Sequence, residues 1–175
     1  MNIEIIIENI NRIELDNIIF KELNLDRRKI KSSHFYDEMK KEDINMDIIS
    51  SLKEFYTTSG TGNIYIKELD LGICIHNVMI IISFDKVYGD IVLNFEENEL
   101  LQKNIDINKD YVSFIRKSQN MVKNYDIGAI IIGYEPASDE DMQLVTFSKK
   151  EDTRIIDINF PTIMNEFKKI IYSTQ

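Results

Sequence analysis

The feature that most constrains the fold is an apolar run over residues 127–133 in which polar and apolar residues do not alternate. The run is too short to span a membrane, and an acidic segment containing Pro136, one of only two prolines, follows it. A short apolar run bounded in this way is typical of a strand buried on both faces. We therefore predict a central strand here, with the rest of the sheet forming around it.

Length and charge limit the class of protein. A chain of 175 residues with 43% hydrophobic content can bury one substantial core, so we expect a single domain over residues 1–175. The chain has 30 acidic and 21 basic residues and a formal net charge of −9. Such a surface repels nucleic acid and anionic lipid and favours cationic partners. We predict neither a nucleic-acid partner nor a membrane partner.

Cysteine content and hydropathy bear on the compartment. One cysteine, Cys74, excludes an internal disulfide and suits a reducing environment. The first residues lack the basic region of a secretory signal, and no segment reaches about 18 uninterrupted apolar residues. We therefore expect a soluble, cytoplasmic protein.

The patterning predicts a sheet with several strands. Ile3, Ile5 and Ile7 alternate with their neighbours, which predicts a strand at or near a sheet edge. Three strands joined by short turns between residues 64 and 95 indicate an antiparallel meander. Two more strands are predicted at residues 143–148 and 154–158, after the central strand.

Helical spacing appears in three places, and residues 9–41 show only a weak pattern that could include a short helix at Ile18, Ile19 and Leu23. Asp43 or Asn45 can cap a helix that ends near residue 57, and Pro161 can begin a terminal helix. Asn108 can cap the clearest helix, whose predicted apolar stripe consists of Tyr111, Ile115, Ser118, Val122 and Tyr125. We predict an α+β fold in which helices pack on a mostly antiparallel or mixed sheet.

The sequence offers no recognisable catalytic, cofactor or metal motif. The two histidines, His34 and His76, lack the close partners of a zinc site. Cys74 precedes His76 by two residues on a predicted strand, a separation of about 6–7 Å that exceeds hydrogen-bond reach. We interpret Cys74 as a small buried hydrophobe and His76 as a hydrogen-bonded core residue or an exposed edge residue. Gly60-Thr-Gly62 lacks the lysine of a phosphate loop and is interpreted as a turn.

Carboxylates at strand ends are the remaining candidates. One group follows a meander strand and the other follows the predicted central strand: Glu96 and Glu97, then Glu135, Asp139, Glu140 and Asp141. Their simplest role is helix capping and solvation. They could also form a protein-binding acidic face or, with Asp90, a metal or acid–base site.

The region from residue 62 to residue 148 resembles small bacterial immunity proteins that accompany polymorphic or contact-delivered toxins. The resemblance covers about half of the chain. It lies in Gly89-Asp-Ile-Val-Leu-Asn-Phe-Glu-Glu97, a helix, and Ile130-Ile-Ile-Gly-Tyr-Glu-Pro-Ala137 followed by Asp139-Glu-Asp141. It implies a cytoplasmic inhibitor that binds a toxin domain and catalyses nothing itself.

Our leading hypothesis is an acidic interaction protein that neutralises a cognate toxin with a basic surface. Tyr134 and Glu135 follow the central strand where its backbone reaches the surface, and Asp139 lies shortly after them. We expect these three residues, together with Glu96, Glu97, Glu140 and Asp141, to contact the toxin. The alternatives are a metal-dependent enzyme or small-molecule binder that uses Asp90 and Glu135, and an adaptor domain that forms a homodimer through an exposed sheet edge.

Overall fold

In the part of the chain that the structure describes, the fold is built on one nine-stranded antiparallel sheet. A computed structural model describes residues 2–37, 39–100, 107–134, 142–149 and 154–155. The strands are β1 (Asn2–Asn11), β2 (Ile30–Asp37), β3 (Glu42–Ile44), β4 (Gly60–Asp70), β5 (Cys74–Asp85), β6 (Tyr88–Glu96), β7 (Ala129–Gly133), β8 (Gln143–Ser148) and β9 (Arg154–Ile155). Their order across the sheet is β3-β2-β4-β5-β6-β1-β7-β8-β9.

Within the described ranges, two α-helices and several helical turns connect the strands. The α-helices are α1 (Leu52–Phe55) and α2 (Val112–Asn124). The short 3₁₀ or π turns are Arg12–Glu14, Asn17–Glu22, Arg27–Lys29, Met46–Ile48, Glu97–Glu99 and Ile107–Tyr111. The predicted α+β class is confirmed. None of the helices in the described ranges is long and apolar enough to cross a membrane.

Strand β7 is buried on both faces, as its unbroken apolar sequence predicts. Ile130 and Ile132 pack into the main core, whereas Ala129 and Ile131 pack with Ile6 on the opposite face of the sheet. The strand lies between β1 and β8, two strands away from the middle of the sheet. Its apolar run therefore reflects an interior position with side chains covered on both sides.

Strand β1 is an interior strand, so its predicted position at or near an edge is wrong. Ile5 lies opposite Leu93 of β6 on one side and opposite Ile132 of β7 on the other. Ile3, Ile5 and Ile7 face the core, and Ile6 is also buried, with only 6% of its surface exposed. Glu4 and Glu8 lie near the two ends of the strand, while its middle is apolar on both faces.

The antiparallel meander is confirmed, because β4 pairs with β5 and β5 pairs with β6. The prediction of a turn at Gly60-Thr-Gly62 is wrong, since these residues begin β4. A Cβ atom at Gly62 would lie 2.1 Å from the ring of Phe35. Gly62 therefore gives the neighbouring strand β2 room to lay Phe35 across the sheet.

The predicted helix over residues 45–57 is largely wrong. This segment contains the Met46–Ile48 turn, an extended stretch and the one-turn helix α1. Ile48, which the helical spacing places on the apolar stripe, is 63% exposed. The start of α1 is fixed by a distant residue, because the Leu52 amide donates to Asp16 Oδ1 at 2.7 Å.

Helix α2 has the predicted apolar stripe, but the predicted cap at Asn108 is wrong: Asn108 lies inside the Ile107–Tyr111 turn, and no side chain caps the start of α2. It begins at Val112 after the Ile107–Tyr111 turn, and the whole predicted stripe from Tyr111 to Tyr125 is buried. Strand β8 has the predicted bounds, and β9 covers Arg154–Ile155. The rest of the strand predicted over residues 154–158 lies outside the described residues. The predicted terminal helix after Pro161 lies outside the described residues.

Candidate protein-binding site

Three neighbouring strands bring several predicted binding residues to one end of the sheet. Asn2 at the start of β1 lies opposite Glu96 at the end of β6, and Glu4 lies opposite Gly133 at the end of β7. The C-terminal ends of β6 and β7 therefore lie on either side of the start of β1. We call Glu4, Glu96, Glu97 and Tyr134 the acidic end.

Tyr134 is fixed at the acidic end by contacts on two sides. Its phenol O–H donates a hydrogen bond to Glu97 Oε1, and its amide donates to the Met142 carbonyl at 3.1 Å. Burial, together with the hydrogen bond and negative charge of Glu97, raises the pKa of Tyr134 above its ordinary value. The ring is thus a partly exposed, oriented aromatic side chain beside a carboxylate.

Amide side chains support Glu4 at the same end of the sheet, on the face opposite the one on which Tyr134 packs. Asn94 Nδ2 donates to Glu4 Oε1 at 3.0 Å, and Asn2 Nδ2 donates to Asn94 Oδ1 at 3.1 Å. These neutral partners hold Glu4 without cancelling its charge. The Glu96 side chain is exposed, and no lysine or arginine of the described ranges pairs with it. The acidic end therefore presents negative charge to solvent.

The remaining predicted binding residues are outside the part of the chain that the structure describes. They are Glu135, Asp139, Glu140 and Asp141. Tyr134, Glu96 and Glu97 are the predicted residues that the described sheet brings together. Glu4, which the sequence reasoning missed, joins them through strand register. An alternating Ile-Glu pattern predicts the strand but not the strand beside which it lies.

Asp90 does not belong to the acidic end. It lies near the start of β6, six residues before Glu96, which corresponds to about 20 Å along an extended strand. Its Oδ1 accepts a hydrogen bond from the Asn9 amide at 2.8 Å. Burial and the nearby Asp90 charge raise the pKa of Glu8. Asp90 thus supports the backbone of β1, and the geometry does not combine it with Glu96 in a metal or acid–base site.

Cys74 and His76 lie at the turn end of the β4–β5 pair, and two predictions for them are wrong. Cys74 is exposed, and its Sγ lies 3.8 Å from His76 Nε2. The two side chains extend from the same face and lean together, so their tips are much closer than the two-residue repeat along the backbone. Although the residue is exposed, partial loss of solvent around its thiol, reinforced by the Glu68 carboxylate, raises the pKa of Cys74. Such a thiol is not activated as a nucleophile.

Glu99 holds His76 from the Glu97–Glu99 turn. Its Oε2 accepts from the His76 amide at 3.0 Å and lies 3.0 Å from His76 Nδ1. His76 is therefore hydrogen-bonded, as predicted, but it is half-exposed on an interior strand. Across the strand pair, Glu68 lies directly opposite His76. Sequence spacing alone cannot find this pair, because Glu68 and Glu99 approach His76 only after the strands align.

The comparisons with known proteins agree with a binding protein. Residues 1–150 match the family described as PABL017 Cdi1I immunity protein. No curated protein matches the sequence significantly. The fold is similar to a chain in the 1.75 Å crystal structure of the toxic C-terminal tip of CdiA from Pseudomonas aeruginosa in complex with immune protein. That similarity has a TM-score of 0.62 at 17% identity and covers 83% of this chain and 93% of the other.

The two comparisons carry different weight. At 17% identity the structural similarity shows a shared fold, whereas the family match extends over 150 of 175 residues. The resemblance to bacterial immunity proteins is thereby confirmed. This chain belongs to the PABL017 Cdi1I immunity protein family, whose members are toxin inhibitors rather than enzymes.

Proposed function

We propose that this immunity protein neutralises its cognate toxin in the cytoplasm by placing its acidic end against a basic surface of the toxin. The observation that carries the proposal is Tyr134, a partly exposed aromatic side chain held in place by the Glu97 carboxylate. Family membership supports the toxin-neutralising role. The net charge of −9 supports a partner of the opposite sign.

The acidic end has two physical properties that suit such a complex. The exposed carboxylate of Glu96 and the half-buried ones of Glu4 and Glu97 attract a cationic surface before contact and so speed the encounter. After contact, the ring of Tyr134 can be buried against the toxin, and buried aromatic anchors supply a large share of binding energy in many interfaces. The Glu97 hydrogen bond reduces the entropy lost on binding, because the ring is already oriented.

This arrangement suggests how the toxin is inhibited. A toxin that acts on nucleic acid needs a cationic surface to hold the phosphate backbone. Carboxylates placed on that surface compete with phosphate groups for the same lysines and arginines. We therefore expect the acidic end, together with the predicted residues Glu135, Asp139, Glu140 and Asp141, to cover the substrate-binding surface of the toxin.

The test is binding between this protein and the toxin domain encoded immediately upstream. Calorimetry at low and high salt measures the dissociation constant of the wild-type complex and of E96Q/E97Q. We expect the double variant to bind more weakly and to show a smaller loss of affinity with salt. The matched control is D47N/E54Q, which removes the same charge from exposed positions in the Met46–Ile48 turn and α1.

Two results would contradict the proposal. One is equal weakening in E96Q/E97Q and D47N/E54Q, which would indicate an effect of net charge alone. The other is no association with the toxin at low salt. Fractionation of cells that produce the untagged protein tests its cytoplasmic location.

A homodimer through a strand edge is the competing arrangement. The described edge strand β3 has only three residues, and Glu42 and Asp43 are acidic. Short, charged edges disfavour pairing with a second strand. We therefore expect light scattering to give the mass of one chain for the free protein.

A further inference from the structure

A second group of polar side chains lies outside the acidic end, where β4 and β5 approach their connecting turn. Glu68, Cys74 and His76 each offer one ligand atom, and these atoms lie within 4.8 Å of one another. Strand register creates the group, since Glu68 lies opposite His76 and Asp70 lies opposite Cys74. Thiol, imidazole and carboxylate are thus presented together on one side of a rigid strand pair.

The spacing of these atoms suits a small cation. Zinc has bonds of about 2.3 Å to sulfur and about 2.0–2.1 Å to imidazole nitrogen, so tetrahedral angles place these two ligand atoms about 3.6 Å apart. The distance between Cys74 Sγ and His76 Nε2 is 3.8 Å. A small rotation of either side chain is enough to bring both atoms to bonding distance.

Glu99 orients the imidazole for this role. Its carboxylate lies 3.0 Å from His76 Nδ1, so Nδ1 can donate its proton there and Nε2 keeps its lone pair toward Cys74. Histidine ligands of zinc characteristically donate their other ring N–H to a carboxylate or carbonyl in this way. The same Glu99 oxygen also accepts from the His76 amide, which fixes the carboxylate to β5.

We propose that Glu68, Cys74 and His76 bind one Zn²⁺ ion, with Glu99 as the positioning residue for His76. Zinc is the cation of choice because sulfur, nitrogen and oxygen ligands together match its intermediate softness. Three protein ligands leave a fourth position for water. The site uses none of the residues of the acidic end, and its test does not depend on a toxin.

Lys29 provides an internal check. Its Nζ lies 2.7 Å from Glu68 Oε1, so the ammonium group competes with a metal ion for this carboxylate. Replacing Lys29 by Gln removes that competing charge without touching a ligand. We therefore expect K29Q to bind zinc more tightly than the wild type, a gain that a simple surface thiol would not show.

The experiment is a titration of the reduced, metal-free protein with Co²⁺, followed by competition with Zn²⁺ against a chromophoric chelator. A thiolate bound to Co²⁺ gives a charge-transfer absorption, and tetrahedral Co²⁺ gives strong visible bands. We expect both signals at one ion per chain. C74S should lose the charge-transfer band, and H76Q and E68Q should each bind about tenfold or more weakly.

The matched control is H34Q. His34 is the second of two histidines, lies on β2 and pairs with Asp43 at 3.3 Å. Its replacement should leave both metals bound as in the wild type. The proposal is overturned if Co²⁺ gives no charge-transfer band, or if H76Q and E68Q bind as the wild type does. Metal-dependent dimers on size exclusion would also overturn it, because Cys74 would then bridge two chains.

Discussion

The two sides of the Glu97–Glu99 turn use the same chemical group for different purposes. On one side, Glu97 accepts a hydrogen bond from the phenol of Tyr134 after β7. On the other side, Glu99 contacts the imidazole of His76 on β5. Each pair joins a carboxylate to an aromatic ring, and both depend on the turn that follows β6.

The two rings differ in the groups that they present for binding. A phenol that donates its only proton to a carboxylate presents an apolar face next to a negative charge, which suits a protein partner with basic residues. An imidazole that donates from Nδ1 still has a lone pair on Nε2, which suits a metal ion. One turn of three residues can therefore serve two recognition chemistries through the identity of the ring.

The largest expected effect is on toxin affinity when the aromatic anchor is removed. Tyr134→Ala should weaken toxin binding about 30-fold or more, which corresponds to the ~2 kcal/mol typical of an interface hot spot. Tyr36→Ala on β2 is the control, because Tyr36 is 40% exposed and lies toward the far edge of the sheet. Calorimetry measures both. Similar losses in the two variants would remove Tyr134 from the interface.

The next effect separates the two carboxylates of the turn. Glu99→Gln should weaken zinc binding about 10- to 100-fold, as is usual when a partner of a ligating histidine is changed. Glu97→Gln should leave zinc affinity unchanged and should weaken toxin binding instead. Chelator competition measures the zinc affinity of both variants, and calorimetry measures their toxin affinity. If each variant alters both affinities to the same extent, the two sides of the turn act as one site.

A smaller effect concerns stability and pH. Tyr134→Phe should lower the free energy of unfolding by about 1 kcal/mol at neutral pH, because the bond to the Glu97 carboxylate is lost. Since the folded-state pKa of Tyr134 is raised, this contribution is complete below the unfolded pKa of about 10 and is lost as pH rises through the folded value. The difference between variant and wild type should therefore shrink above about pH 10.

Urea unfolding at a series of pH values measures that trend. We expect the stability difference between Tyr134→Phe and the wild type to shrink as pH rises. It would grow with pH if ionisation of the tyrosine stabilised the fold. A difference that stays constant through the alkaline range would show that the Glu97 bond contributes nothing specific to the protonated phenol.

The smallest effect is kinetic. Glu96→Gln should slow association with the toxin roughly two- to fivefold at low salt, because one exposed charge adds modestly to steering. The dissociation rate should change little, since Glu96 is exposed and can stay hydrated at the rim. Stopped-flow mixing at low and high salt measures both rates. A change confined to dissociation would instead place Glu96 in the buried centre of the interface.

The parts of the fold that sequence reasoning predicts correctly have strong local patterns. Strands β4 to β6 alternate, β7 is apolar on both faces, and α2 repeats its apolar residues at helical spacing. Each pattern is set by burial against the same core. The family resemblance rests on this region, and the family match extends it to residues 1–150.

The parts that sequence reasoning misses are determined by distant contacts. Strand β2 has polar residues at Ser32, Ser33 and His34, so neither face gives an alternating signal, and the ring of Phe35 finds its place only over Gly62. The segment before α1 resembles a helix, but Asp16 fixes the start of α1 at Leu52. The sequence does not predict that Tyr134 contacts Glu97 or that His76 contacts Glu99, because strand register brings these residues together.

The interior position of β1 has a consequence for synthesis on the ribosome. Strand β1 is fully paired only after the ribosome has synthesised Leu93 and Ile132, which lie on either side of Ile5. At ~5–20 residues per second, this synthesis takes roughly ten seconds. We predict that nascent chains stalled before residue 129 are digested readily by protease, and resistance of such chains would refute this. Until β7 emerges, β1 lacks one of its two neighbouring strands, so protection against the toxin begins only after β7 has been synthesised.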